Sequence, residues 1–134
     1  MKIKSFQVDS LKDLRVLQRV FREAKFCKEA DDDEVSASPL VADLFERLMA
    51  ALIEAQVESE GEVARQKWEK WLVMADNSRD EWLAVRDRAQ RNPHWLSWTE
   101  SEKRDYASLL FRPFVLDKKM LDLFVSEVTN AVGR

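Results

Sequence analysis

All five tryptophans of this chain, Trp68, Trp71, Trp82, Trp95 and Trp98, fall within one window of a sequence that holds two glycines, one histidine and one cysteine. An aromatic side chain removes on the order of 150–250 Å² from water when buried. Five indoles left wet would expose roughly 1,000 Å², beyond the roughly 300–600 Å² of the largest apolar patch on a typical soluble monomer. Most of them must therefore be internal. The scarcity of glycine removes the residues that tight hairpins need, and no segment alternates with strand period over a useful length. The fold class that follows is all-α: a compact single-domain bundle of about six helices spanning residues 1–134.

The helices can be placed. Between residues 10 and 28, Leu14, Leu17, Val20, Phe21, Ala24 and Cys27 mark an apolar side at 100° per residue, with Asp9 or Ser10 as N-cap. Lys12, Arg15, Arg19 and Arg22 form a basic stripe opposite, on which Phe26 is an apolar residue that the core does not explain. Ser38 and Pro39 start a second helix, about 39–58, whose apolar arc is wide enough to touch more than one neighbour and which is expected to be central. Gly61 ends it. The third helix turns Trp68, Trp71 and Leu72 to one side, with Val73 and Met74 pointing elsewhere.

Ser78 and Glu81 have capping-box spacing for a fourth helix, in which Arg86 lies one turn beyond Trp82 and within reach of its indole face. Asn92-Pro93 ends that helix. A short apolar connector, His94 to Trp98, precedes a fifth helix capped by Ser97 with Glu100 or Thr99 with Glu102. Arg112-Pro113 breaks the chain again, and Asp117 caps a last helix carrying Leu121, Phe124, Val125 and Val128 inward.

Charge is segregated. Residues 1–28 carry eight Lys/Arg and three Asp/Glu, a net +5; residues 29–62 carry one and eleven, −10; residues 63–134 carry thirteen and eleven, +2. The acidic run at 31–34 reads as a solvated loop, because it lacks the glycine and the terminal glutamate that an EF-hand loop needs. Cys27 has no partner for an intramolecular disulfide and reads as a small buried apolar residue. With no signal-type or membrane-spanning run of apolar residues, the expected location is cytoplasmic, with no membrane contact.

Glycine-dependent phosphate loops and nucleophile elbows are excluded, since Gly61 and Gly133 are the only glycines. One histidine cannot build a multi-histidine metal site. The sequence thus leans against an enzyme, assigns no catalytic residue and calls for no metal or cofactor. The favoured expectation is a noncatalytic helical interaction or regulatory module. Its partner is a protein, a second copy of the chain included, and it docks through Arg15, Arg19, Arg22, Phe26, Trp95 and Trp98. Two alternatives stand beside it. One is a small-molecule pocket lined by Trp82, Trp95, Trp98, Tyr106 and Phe111; the other is a carboxylate- and magnesium-dependent helical hydrolase, against which the outward placement of Asp43, Glu46, Glu54 and Glu58 counts. A sequence pI near 5.3 argues against nucleic acid.

Overall fold

A computed structural model describes residues 5–27 and 33–133, excluding the side chains of 33 and 34. Its described residues form seven α-helices: α1 (Leu11–Lys25), the single turn α2 (Asp33–Ser36), α3 (Pro39–Glu60), α4 (Glu62–Leu72), α5 (Asp80–Gln90), α6 (Glu100–Phe111) and α7 (Lys118–Val132), with a 3-10 turn at Trp95–Ser97. The six longer ones are the expected helices. Their starts follow the local chemistry: the Asp13 N–H donates to Ser10 Oγ, that of Val41 to Ser38 Oγ, and that of Met120 to Asp117 Oδ1. Pro39 fills the first turn of α3, where a missing N–H costs nothing.

Thr99 and Glu102 form the full capping box of α6, each side chain bonded to the other residue's backbone N–H at 3.1 Å. Thr99→Ala leaves the Glu102 N–H without its acceptor and is expected to cost about 1 kcal/mol in a urea titration. Gly61 joins α3 to α4 at φ 91°, with open space where a Cβ would stand. A side chain there would be strained by the backbone rather than by crowding.

Two apolar clusters hold the helices together. In the first, Leu14 of α1 packs with Phe45, Met49 and Leu52 of α3. The pairings Phe21–Phe45 and Arg15–Glu60 show that α1 and α3 run in opposite directions. α3 also packs along α4 and touches α6, as its wide apolar arc requires. The second cluster gathers Trp82, Val85 and Ala89 of α5, Trp95, Ala107, Leu110 and Phe111 of α6 and its approach, and Phe124, Val125 and Val128 of α7, together with Met74 and Phe114. Phe26, Trp71 and Leu72 pack against both clusters and join them.

The connector after α4 is pinned to the one after α6. Val115 N–H donates to Leu72 O at 2.8 Å and Met74 N–H to Val115 O at 2.9 Å, a single parallel bridge. Met74 does turn away from the side of Trp68, into the second cluster. The chain leaves the helix at Leu72, so helical spacing no longer sets direction, and Met74 is completely buried.

Four expectations change. The inner stripe of α1 is Leu14, Gln18 and Lys25, flanked by half-buried Leu11, Leu17, Phe21 and Arg22, which is rotated by about a quarter turn from the hydrophobic stripe; Val16 and Val20 remain on the outside, 54% and 55% exposed. Cys27 is exposed, because α1 stops at Lys25 and Phe26 turns inward in its place, its ring edge-on to Phe114 at 5.3 Å. Ser78 does not cap α5: its hydroxyl and N–H both donate to Asp76 Oδ1 at 2.8 Å, while Arg79 occupies the N-cap. Arg86 approaches Glu127, whose other carboxylate contacts include the Trp82 indole N–H at 3.1 Å.

Candidate functional site

Rotating α1 onto Gln18 and Lys25 changes what each basic residue can do. Arg22 is drawn inward, its Nε 3.3 Å from Glu81 Oε1, and Glu81 also meets Arg79 Nη2 at 3.4 Å. Glu81 itself is only 4% exposed. A carboxylate that deep is stable as an ion only with cations beside it, and here two guanidiniums from different segments supply them. Arg79 in turn donates to Trp71 O at 2.8 Å and lies over the rings of Trp71 and Phe114. The capping-box spacing that marked Glu81 thus pointed to the right residue with the wrong task.

Between α1 and α4, floored by α3, runs a groove of about 420 Å³ lined by Gln18, Arg19, Arg22, Gln56, Ala64, Lys67, Trp68 and Trp71. Trp68 and Trp71 are half-buried and stand edge to face, centroids 5.4 Å apart at 89°. The Trp68 indole N–H donates to Gln56 Oε1 at 2.8 Å, and Gln56 Nε2 donates onward to Glu60. Gln18 is 7% exposed. Among the described residues Gln18, Arg19 and Lys67 have no hydrogen-bond or ion-pair partner, so an amide and two cations face the groove without a protein partner. Arg19 also lines a neighbouring depression with Leu11, Lys12, Arg15 and Val16, which makes the basic side of α1 continuous with the groove.

The other expected site residues are distributed differently. Arg15 is half exposed and 3.8 Å from Glu60. Phe26 is taken up by the joint between the two clusters, so it is not part of an outer docking face. Trp95 is wholly buried: its N–H donates to Thr129 Oγ1 at 3.1 Å and Lys103 Nζ lies 5.7 Å from its ring centroid. A residue with no surface cannot contact a partner, and the docking role expected of it is withdrawn. Trp98 keeps part of its surface, stacked by exposed His94 and met edge-on by Tyr106. The proposed aromatic pocket closes on itself, since Trp82, Trp95 and Phe111 are each wholly buried and pack around Phe124 at centroid distances of 4.9–6.4 Å.

Of the α3 carboxylates considered for magnesium, Asp43, Glu46 and Glu54 are already engaged. Arg112 donates from Nε to Glu46 Oε1 and from Nη2 to Asp43 Oδ1, each at 2.6 Å, and these bonds hold the Glu46 carboxyl below its ordinary range and raise the Arg112 guanidinium. Glu54 takes Arg65 at 2.6 Å. Among the described residues no three His, Cys, Asp or Glu side chains are grouped so as to hold a metal ion, and no helix is long and apolar enough to cross a membrane. Of the acidic run, positions 31 and 32 lie outside the described residues.

Sequence spacing missed Lys25. It is 3% exposed, and its Nζ donates to the carbonyls of Leu109 and Leu110, at 3.0 and 2.7 Å, in the last turn of α6, where the final carbonyls have no helical donor. Burial, and next the nearby Arg112 charge, push the ammonium down to about 7, with Glu46 opposing.

No protein-family model, curated protein or solved structure matches this chain.

Proposed function

We propose that the chain is a noncatalytic helical interaction module that docks a protein partner through the basic side of α1 and the groove beside it. The observation that carries this reading is the groove itself. It sets two cations that have no partner among the described residues, Arg19 and Lys67, beside a half-buried indole, whereas others such as Arg65 and Arg112 are held in ion pairs. Aromatic and arginine side chains are the types that dominate binding energy at protein interfaces. The noncatalytic part is supported by how the reactive groups are used: Ser97 Oγ donates to a backbone carbonyl, His94 stacks on Trp98, and Asp43, Glu46 and Glu54 hold guanidiniums.

The test is affinity capture from the native host with the wild type and the Arg15→Glu/Arg19→Glu double variant, followed by titration of the purified captured protein. Both substitutions are on the outside of α1, so the far-UV spectrum should not change. The reading expects a partner whose affinity falls at least about tenfold in the double variant, as reversal of rim charges at a complementary interface would cause. Capture of the same proteins at equal affinity by both forms, or of none, overturns it.

A further inference from the structure

Resting on the docking reading, we infer that the α1–α4 groove takes an extended, acidic segment of a partner protein, with an apolar side chain seated against Trp68.

Gln18 is the starting point. A primary amide offers two donors and an acceptor. Gln18 is more than nine-tenths buried, has no partner among the described residues, and lines the groove. Its amide opens onto the groove, where it can meet a ligand with a donor and an acceptor side by side. An extended peptide presents that pair at each residue, since its backbone N–H and C=O are not used within the strand. Gln56, by contrast, is already satisfied by Trp68 and Glu60.

Charge selects the side chains. Arg19 and Lys67 rise from α1 and α4 on the two walls, and Arg22, also in the lining, is held by Glu81. Two unpaired cations with a spacing fixed by helices favour a segment carrying Asp or Glu on both sides of its anchor. A cavity near 420 Å³ holds one large side chain and its flanking backbone, not a folded domain.

A basic, tryptophan-lined groove also suits single-stranded nucleic acid, whose bases stack on aromatic faces. The geometry disfavours it here. Trp71 is covered by Arg79, 5.5 Å from its centroid, and by Phe114 at 4.8 Å, and it meets Trp68 edge-on, so the two indoles offer no parallel stacking platform for successive bases.

The experiment selects twelve-residue peptides from a random displayed library on the full chain, then titrates the enriched peptides against wild type, Lys67→Glu and Gln18→Met, following tryptophan emission. A fluorescent single-stranded oligothymidine of twelve nucleotides runs in parallel. Expected are peptides with an aromatic or leucine residue between acids, weakened about tenfold or more by Lys67→Glu and about five- to tenfold by Gln18→Met, the loss of one or two buried hydrogen bonds. Met keeps the volume of Gln, and a wild-type thermal melt for that variant separates lost binding from lost folding. Enrichment without acids, binding indifferent to both substitutions, or tighter Lys67-dependent binding of the oligonucleotide overturns the inference. If no peptide is enriched while a partner sensitive to Arg15→Glu/Arg19→Glu is still captured, the docking reading stands and this assignment of the groove falls.

Discussion

Phe124→Ala is expected to lower the unfolding free energy by about 3–5 kcal/mol, the usual range for removing a buried phenylalanine ring. The ring has no exposed surface and is met by Phe111 at 4.9 Å, Trp82 at 5.2 Å and Trp95 at 6.4 Å, all near right angles. Edge-to-face packing aims the positive rim of one ring at the negative face of another, so truncation forfeits these contacts as well as the area. The neighbours cannot readily collapse into the space. Trp82 is tethered by its N–H to Glu127 and Trp95 by its N–H to Thr129, both on α7 itself. Because α5, α6 and α7 all converge on this ring, the loss should appear as a lower urea midpoint with an unchanged slope. A shift below about 1 kcal/mol would mean that the cluster repacks freely and that the three helices are not held through Phe124. Leu96, 53% exposed in the neighbouring turn, is the control: Leu96→Ala should stay within about 0.5 kcal/mol.

Much of this architecture is legible in the chain because it is local. A cap needs a hydroxyl or carboxylate one turn from an N–H, and Ser10, Ser38, Thr99 and Asp117 each meet that condition. Burial of Trp82, Val85 and Ala89 follows from helical spacing alone, as does that of Phe124, Val125 and Val128. The errors arise where distant segments decide. Spacing turns α1 onto Val20 and Ala24, but the acceptors that fix its orientation, Glu81 and the last carbonyls of α6, are 59 and 84–85 residues away from the groups that reach them. Pairing Arg22 and Lys25 with those acceptors leaves Val16 and Val20 in water.

The groove was legible only in part. Arg19 and Arg22 were marked by their stripe, yet Gln18 falls between the apolar and basic sides and carries no signal in a helical projection. Trp68 and Trp71 read as core because they share a face with Leu72. They do pack against the first cluster, but α1 and α4 stand far enough apart to leave one edge of each in the groove. Trp95 and Trp98 sit in a proline-broken connector, where the sequence leaves open whether each packs under the loop or faces a partner. The 3-10 turn buries Trp95, whereas Trp98 follows the turn in extended backbone, at φ −80° and ψ 151°, and keeps part of its surface.

The stability of the protein should rise with pH above neutrality, and Lys25 should be the reason. Folding lowers its pKa from 10.5 to about 7. Between those values the unfolded chain holds a proton that the folded chain has released, so stability increases with pH across the window; below about 7 both states are protonated and the penalty of the buried charge is fully present. Each unit of pKa difference corresponds to about 1.4 kcal/mol, so the gain between pH 7 and pH 9 should approach 2–3 kcal/mol. Two features oppose the shift. The carbonyls of Leu109 and Leu110 and the negative end of the α6 dipole favour the ammonium, and Glu46 adds its charge from α3, although Arg112 draws much of that carboxylate to itself. Desolvation prevails because Nζ has almost no access to water and the guanidinium nearest to it carries the same sign. The measurement compares urea unfolding of wild type and Lys25→Met at pH 6, 7, 8 and 9. Methionine keeps the apolar stem and removes the titrating group, so the wild-type curve should climb relative to the variant from pH 7 upward and run parallel to it below. Parallel curves throughout would show that the α6 terminus holds the proton at every pH tested, and the lysine would then be a permanently charged cap on that helix.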